Sequence, residues 1–266
     1  MSRFVVYEVQ KRSSSNNQVI AIQESLPIWA LSGFLKVDGI FGVETESAVK
    51  RFQKESGLSA DGVVGPETGT ALGVWSSVEK GFDASHWNRV SWQDITADYS
   101  FCNLKATQGT SYVDPAFHES VKKALGVGLS VGAYHFTQFE NSPFLEAANF
   151  LDNVSEYAIS RLYLDLEYRQ SSLSALAIYT WVENFLSTIS GVLPGARIGI
   201  YTSRNYMSEI GLQQFTGFSK FDLWAASWGS QPYVYPWSTW DVWQYTSKGD
   251  VDWAEGDIDL NLMSVK

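Results

Sequence analysis

The sequence of 266 residues has a single cysteine and three histidines, and this scarcity excludes several kinds of site. With Cys102 alone, the chain forms no internal disulfide and no cysteine-based metal centre. Cys102 lies in the apolar run 99–104, which predicts a buried structural thiol rather than a nucleophile. The histidines, His86, His118 and His135, lack the spacing of metal ligands. We therefore expect neither a metal ion nor a cofactor.

Basic charge and long apolar runs are also scarce. The formal net charge is -10, and basic clusters do not exceed pairs such as Lys50-Arg51 and Lys122-Lys123. Because nucleic acids and anionic membrane surfaces are bound through lysine and arginine, neither is an expected partner. No apolar stretch has the length of a membrane-spanning helix, and Glu8 interrupts the first apolar run too early for a secretory signal. The sequence predicts a soluble monomer, made in the cytoplasm without a signal peptide.

Aromatic residues, in contrast, are abundant: they make up 15% of the chain and include 11 tryptophans. Tryptophan and tyrosine rings offer flat amphipathic faces, on which the C–H faces of sugar rings stack well. The same rings can instead fill a hydrophobic core. Composition alone leaves both interpretations open.

The most informative segment spans residues 162–168. Leucines at 162, 164 and 166 alternate with Tyr163, Asp165 and Glu167, and this period of two predicts a strand. Both carboxylates then lie on one face, with side chains that start about 6.6 Å apart. Two acids at that distance can act on one glycosidic bond and push each other's pKa values apart. The alternative is the solvent face of an edge strand. We favour a functional pair, because a predicted helix at 146–154 precedes the strand, and strands of α/β proteins are usually buried on both faces.

An internal repeat marks a first module at residues 1–76. The segment DGIFGVET (38–45) recurs as DGVVGPET (61–68), each an Asp-Gly turn followed by a glycine at a helix entry. An earlier helix is predicted at 18–26, ending before Pro27. The pattern predicts a small all-α unit of three helices. The repeat resembles the peptidoglycan-binding domain family over residues 14–73, which implies that this module binds the bacterial cell wall.

Beyond a short joint at Ser76-Ser77, apolar β-runs alternate with helical stretches over residues 77–266. One helix is predicted at 115–125, with Pro115 at its start and Asp114 as its cap. Repeated strand–helix units predict a mostly parallel sheet, and their number predicts a closed barrel. Helices become rare near the end, so the last strands are expected to connect directly. The predicted strands are 81–84, 101–106, 130–134, 161–167, 197–201, 223–226 and 242–245.

Active sites of such barrels lie at the carboxyl ends of the strands. Carboxylates and aromatic residues dominate that position in this sequence, which shows no phosphate-binding glycine loop and no Ser-His-Asp order. The chemistry that fits is glycoside cleavage, in which one protonated carboxyl donates to the leaving oxygen and negative charge supports an oxocarbenium-like state. The residues predicted at this rim are Asp83, Tyr134, His135, Asp165, Glu167, Tyr201, Trp224 and Gln244.

Residues 80–266 resemble glycoside hydrolase family 25, the lysozymes (muramidases) of phage endolysins and bacterial autolysins. The resemblance implies an α/β fold, namely an irregular TIM-like barrel with eight strands and fewer helices than the standard form. It also implies hydrolysis of the β-1,4 bond between N-acetylmuramic acid and N-acetylglucosamine. The motifs that carry it occur in one order: GFDAS (81–85), LKATQG (104–109), GAYHF (132–136), LDLE (164–167), GIYT (199–202), LWAA (223–226), WQY (243–245), VD (251–252) and DIDLN (257–261).

The resemblance further implies roles for individual residues. Glu167 corresponds to the general acid. Asp165 corresponds to the second carboxylate, which acts either as a covalent nucleophile or by orienting the 2-acetamido group of the substrate; both routes retain the anomeric configuration. Asp83 and Asp252 correspond to the other two acids of the cleft, with Asp250 competing for the last position. The substrate-binding residues are predicted to be Tyr134, His135, Tyr201, Trp224 and Gln244.

Two positions depart from the family pattern: Gln108 stands where an acid is usual, and Trp228 where a tyrosine is usual. Two other functions stay open. A chitinase-like barrel glycosidase would place Asp-x-Asp-x-Glu on the strand, but Tyr163 occupies the first of these positions. A non-catalytic wall-binding protein would keep the fold without turnover. We expect a lytic enzyme acting on the cell wall, either a phage lysin released through a holin-type pore or a secreted enzyme.

Overall fold

The computed structural model describes residues 10–15, 17–27, 30, 35–74, 78–169, 172–228 and 232–264. The chain divides into two compact units, one within residues 1–78 and the other at Glu79–Ser264. The boundary predicted at residues 76 and 77 lies outside the described residues and stays a prediction. In the described part of the chain, no helix is long and apolar enough to cross a membrane.

The first unit is helical, as predicted. Its helices are α1 (Asn17–Ser25), α2 (Val43–Glu55) and α3 (Pro66–Ala71). Helix α2 ends just before Gly57, whose φ of 71° lies in the left-handed region that glycine adopts readily. The helices pack on one apolar core, whose fully buried members include Val19, Ile22, Phe41, Val49 and Val64.

Two buried glutamines hold the repeated Asp-Gly turns of this unit. The side-chain amide of Gln23 donates to Asp38 Oδ1 at 3.2 Å, and that of Gln53 donates to Asp61 Oδ1 at 2.8 Å. Each glutamine oxygen also accepts the N–H of the glycine that follows the aspartate, at 2.9 Å in both turns. Burying a polar group without a partner costs free energy. The hydrogen bonds to the turn satisfy the buried side-chain amide of each glutamine, and the same bonds hold the turn in place.

The second unit is a barrel built from β-strands that alternate with helices over most of its length. The strands of the described residues are β1 (Val78–Ala84), β2 (Arg89–Val90), β3 (Tyr99–Gln108), β4 (Tyr112–Val113), β5 (Ser130–Phe136), β6 (Arg161–Asp165), β7 (Arg197–Ser203), β8 (Asp222–Ala226), β9 (Val242–Gly249), β10 (Ala254–Glu255) and β11 (Ile258–Ser264).

Eight of these strands close the barrel in the order β1-β11-β9-β8-β7-β6-β5-β3, and β3 pairs again with β1. Neighbours from β3 to β9 are parallel, whereas β11 runs antiparallel to β9. The predicted closed and mostly parallel barrel is therefore confirmed. Strand β11 is absent from the predicted strands, and β6 ends at Asp165 rather than at Glu167. Backbone pairing continues only to Leu166, whose N–H donates to Tyr201 O at 2.9 Å.

The barrel carries helices α4 (Phe117–Gly126), α5 (Pro143–Val154), α6 (Ala175–Val192) and α7 (Arg204–Glu209). Helix α4 begins two residues later than predicted, because the Asp114 carboxylate accepts the Ala116 N–H at 3.0 Å in the turn before it. Described residues between β8 and β9 and between β9 and β11 contain no α-helix, which fits the expected shortage of helices at the end of the barrel.

Side chains alternate between the barrel interior and the outer layer of helices. The interior is filled by large rings and apolar chains, and the site lies above this layer at the carboxyl ends of the strands. Cys102 faces the other way; it is fully buried, and burial raises its pKa to about 12, which confirms a structural thiol. The interior layer consists of Phe101, Tyr163, Trp224, Val242 and Met263, with Tyr134 and Tyr201 packed against it.

Candidate active site

The predicted acid pair lies at the carboxyl end of β6. Asp165 is the last residue of the strand and only 6% exposed, and its Oδ1 accepts no hydrogen bond from any residue that the structure describes. Glu167 lies two residues further on, at a position open to solvent. A buried acceptor without a donor is costly, so Asp165 is the kind of group that a ligand completes.

Both carboxyl groups hold their protons more tightly than usual. Burial raises the pKa of Asp165 well above its ordinary value; the charge of Glu167 adds to this, and Lys105 opposes it. Burial by the surrounding protein also raises the pKa of Glu167, although water reaches its side chain, and Arg169 opposes the rise. The pair can therefore supply one proton donor and one carboxylate, which is the pattern of acid-assisted glycoside cleavage.

A second carboxyl pair lies across the rim, where β1 meets β11. Asp83 Oδ2 accepts the side-chain amides of Gln244 at 3.0 Å and Asn261 at 2.8 Å. Burial and the charge of Asp259 raise the pKa of Asp83 well above its ordinary value, and burial also raises that of Asp259. The two carboxyl groups therefore interact, and Asp83 holds its proton more tightly than an ordinary aspartate.

The structure does not bring Asp252 to this cluster, so its prediction as the fourth acid is wrong. Asp252 is exposed in the loop between β9 and β11, as is its competitor Asp250. It lines a separate groove of about 620 Å³ together with Arg89 and Lys123. The carboxyl group that interacts with Asp83 is that of Asp259, two residues before Asn261 on β11.

His135 was predicted to bind substrate, but the structure places it away from the cleft. It is 0% exposed and bonds to Thr107 Oγ1 at 2.7 Å and Glu146 Oε2 at 2.9 Å. Its ring packs against Phe150 and Phe185 of helices α5 and α6. The residue before it, Tyr134, takes the inward position on β5, so His135 faces the helices and cannot reach a substrate in the cleft.

Trp224 lies beneath the cleft rather than in it. The residue is 1% exposed, and its indole N–H donates to Asn261 Oδ1 at 2.8 Å. Tyr134 and Tyr201 cross its ring edge-on, with ring centroids 5.7 Å and 4.7 Å away. Of the three predicted sugar-stacking rings, the two tyrosines are partly accessible, and Trp224 serves as their support.

Gln244 lies at the site, but its hydrogen bonds go to protein groups. Its amide nitrogen donates to Asp83, as described, and its oxygen accepts the Tyr201 hydroxyl at 3.0 Å and the Trp228 indole N–H at 3.4 Å. Gln244 is thus a positioning residue that ties Asp83 to Tyr201. The tryptophan at 228, where a tyrosine is usual in the family, takes part in this network.

Lys105 is a site residue that sequence reasoning missed. Its Nζ donates to Gln108 Oε1 at 3.0 Å and lies 4.9 Å from the centre of the Phe136 ring. Burial lowers its pKa, whereas Asp165 raises it. The sequence signal that could have identified it is a lysine near the carboxyl end of a predicted barrel strand. The neutral Gln108, which replaces the family's usual acid, leaves the charge of Lys105 directed at Asp165.

No group of three or more histidine, cysteine, aspartate or glutamate side chains in the described ranges could hold a metal ion. What the site contains is four carboxyl groups, one ammonium group and two partly exposed tyrosine rings. Two carboxyl pairs at the carboxyl end of a mostly parallel barrel fit a glycoside hydrolase.

Comparison with known proteins gives the family. Residues 82–253 match the model of Glycosyl hydrolases family 25, and residues 15–72 match that of the Putative peptidoglycan binding domain. Because the first match spans more than half of the sequence, the chain belongs to glycoside hydrolase family 25. Lysozyme M1 of Streptomyces globisporus is 29% identical over 221 residues, which cover 78% of this chain and 74% of that protein.

Solved structures agree in fold. The bacterial lysozyme from Streptomyces coelicolor is 30% identical with a TM-score of 0.65, and the match covers 70% of this chain and 92% of that one. The muramidase from Acremonium alcalophilum is 26% identical with a TM-score of 0.62, covering 70% of this chain and 94% of that one.

Proposed function

We propose that the barrel hydrolyses the β-1,4 bond between N-acetylmuramic acid and N-acetylglucosamine in peptidoglycan, and that the helical unit holds the enzyme on the cell wall. The enzyme is a lysozyme by family, and its relatives include a muramidase. The observation that carries the proposal is the carboxyl pair of β6, because Asp165 is buried without a hydrogen-bond donor beside the more accessible Glu167.

Glu167 is proposed as the general acid. It is the more accessible member of the pair, and burial raises its pKa, so it keeps a proton while remaining within reach of a bound glycan. The proton passes to the glycosidic oxygen as the bond between that oxygen and the anomeric carbon breaks. In the second half of the reaction the same group, now a carboxylate, takes a proton from the attacking water.

Asp165 is proposed to support the positive charge that develops at the anomeric carbon. Lys105 lowers the pKa of Asp165 and so favours the ionised form that this role requires. Asp165 either attacks the carbon to form a covalent intermediate or orients the 2-acetamido group for attack. Both routes invert the configuration twice and so retain it. A substrate whose acetamido group is replaced by a hydroxyl separates them, because only the covalent route survives that change.

The pair Asp83 and Asp259 is proposed to shape the opposite side of the cleft. The charge of Asp259 raises the pKa of Asp83, and the amides of Gln244 and Asn261 fix Asp83. Gln244 passes this constraint on to Tyr201. The charge of Asp259 also raises the pKa of Glu167.

The acid assignment is tested with Glu167→Gln. We expect turnover of purified peptidoglycan to fall by about 10²–10⁴-fold, because proton donation to the leaving oxygen is lost. Glu119→Gln, a surface glutamate paired with Lys123, is the matched control and should keep wild-type turnover. Product analysis in the same assay should find N-acetylmuramic acid at the new reducing ends. Near wild-type turnover of Glu167→Gln would refute the assignment, and cleavage of chitin in preference to peptidoglycan would refute the substrate.

The targeting role is tested by deleting residues 1–76. Tethering raises the effective concentration of an enzyme at an insoluble substrate, so wall binding should fall while cleavage of soluble glycan fragments is kept. Sedimentation with intact cell walls measures the first quantity, and reducing-sugar release from soluble fragments measures the second. Unchanged sedimentation of the shortened chain would contradict a wall-binding role for the helical unit.

The place of action is the bacterial cell wall. We propose that the protein acts there as a monomer and needs neither nucleic acid nor a membrane as partner. A net charge of -10 disfavours both of these polyanionic surfaces. Light scattering at several concentrations would reveal any oligomer.

A further inference from the structure

Three rings form an exposed ledge at the carboxyl ends of β1 and β3, outside the acid cluster. They belong to His86, Trp87 and Tyr112, and we name them the aromatic ledge. Trp87 is 82% exposed, and Tyr112, on the short strand β4, lies beside His86 with ring centroids 6.4 Å apart. A single exposed aromatic side chain is common on protein surfaces and needs no explanation by itself. What distinguishes Trp87 is that hydrogen bonds fix its backbone and the neighbouring His86 ring.

A buried carboxylate anchors the ledge. His86 Nδ1 lies 2.6 Å from Asp114 Oδ2, and the backbone N–H of His86 donates to the same oxygen at 3.2 Å. Asp114 is only 1% exposed. The His86 ring in turn packs under the Trp87 indole, with centroids 4.4 Å apart. The Tyr112 hydroxyl approaches His86 Nδ1 from the other side at 3.4 Å.

The backbone of the ledge is fixed as well. The Ser85 N–H donates to Asn88 Oδ1 at 2.9 Å, and the Asn88 N–H returns to Ser85 O at 3.0 Å. The Trp87 N–H donates to Ser85 Oγ at 3.4 Å. An exposed ring on a hydrogen-bonded turn loses little conformational entropy when a ligand stacks on it, which is the condition for a preorganised binding surface.

The ledge adjoins the proposed catalytic cleft. Trp87 follows Asp83 by four residues, so the two Cα atoms are at most about 14 Å apart. On the other side, the Tyr112 ring centre is 5.9 Å from Lys105 Nζ, and Lys105 interacts with Asp165. A glycan chain that extends from the cleft toward β1 and β3 therefore meets the ledge.

We propose that the aromatic ledge is an outlying subsite, which stacks a pyranose ring of the glycan chain beyond the two sugars whose bond is cleaved. This inference rests on the proposed function. The flat indole matches the C–H face of a pyranose ring.

The subsite is tested by binding, in the inactive Glu167→Gln background. Calorimetry measures Kd for two probes, a tetrasaccharide fragment and long un-cross-linked glycan chains prepared from peptidoglycan. Adding Trp87→Ala should weaken binding of the long chains about tenfold more than binding of the tetrasaccharide, since one aromatic stack is lost. Trp87→Phe should restore most of the difference. His86→Ala, which removes the support under the indole, should give a smaller loss in the same direction.

Val192→Ala is the matched control, because Val192 is an exposed apolar residue at the end of α6 and belongs to no site. It should change neither Kd. Equal effects of Trp87→Ala on both probes, or no effect on the long chains, would overturn the subsite. Because the readout is binding, failure of the muramidase assignment would show separately, as absence of peptidoglycan turnover in the wild-type enzyme.

Discussion

Two carboxylates at the same rim of the barrel differ in how the protein treats them. Asp83, on β1, accepts two side-chain amides and has its pKa raised by the charge of Asp259. Asp165, on β6, is as deeply buried, yet its Oδ1 accepts no hydrogen bond within the described residues. Hydrogen bonds formed in the folded protein stabilise the fold, whereas a buried acceptor left open lowers stability and is available to a substrate. The contrast separates the side of the cleft that carries Asp83, which supports the site, from the side that carries Asp165, where the reaction is proposed to take place.

Of the substitutions that test this comparison in the barrel, we expect the larger effect on turnover from one on the side of the cleft that carries Asp83. Asp259→Asn removes the charge that raises the pKa values of Glu167 and Asp83. We expect kcat to fall by about 10–100-fold, less than for the general acid, because Asp259 acts through its neighbours. Asp252→Asn is the matched control and should stay within twofold of wild type. If Asp252→Asn proved the more damaging of the two on soluble glycan, the placement of the fourth acid on β11 would be wrong.

A smaller effect is expected on the pH dependence of activity. Lys105 lowers the pKa values of both Asp165 and Glu167. Lys105→Met should therefore raise both values, so that Asp165 ionises at higher pH and Glu167 keeps its proton to higher pH. Both limbs of the kcat/KM profile should move upward. Lys220→Met, which removes a surface partner of Glu183, should leave the profile in place. A downward shift of the acid limb in Lys105→Met would contradict the counter-ion role.

The sequence was sufficient for the architecture and the acid pair, because both depend on strong periodic signals. Alternation along 162–165 indicated the inward face of Asp165, and repeated strand–helix units predicted the barrel. The sequence was insufficient where one must know which residues of a strand face the barrel interior. Strand β5 is buried on both faces, so Tyr134 and His135 look equivalent in sequence, and only the packed structure turns one inward.

The prediction among the aspartates of residues 250–259 missed Asp259 for a related reason. Aspartates occur at 250, 252, 257 and 259, and motif spacing favoured the second of them. The inward phase of β11 is set by its pairing with β9, whose register is irregular around Leu260. The sequence also does not show how deeply a side chain is buried. Trp224 and Tyr201 occupy similar positions on neighbouring strands, but Trp224 is buried beneath Tyr201 and supports its ring.

The most direct test of the central contrast is the free energy of unfolding of Asp83→Ala and Asp165→Ala, measured by urea denaturation between pH 4 and 7. Asp83→Ala should be less stable than wild type by about 2 kcal/mol, because buried amides lose their acceptor. Burial raises the folded-state pKa of both carboxyls, so each lowers stability as pH rises above its unfolded pKa, and both variants should gain stability relative to wild type toward pH 7. Because Asp165 Oδ1 accepts no hydrogen bond within the described residues, Asp165→Ala should lose far less stability than Asp83→Ala at every pH, while losing turnover. Equal destabilisation by the two substitutions would contradict the account.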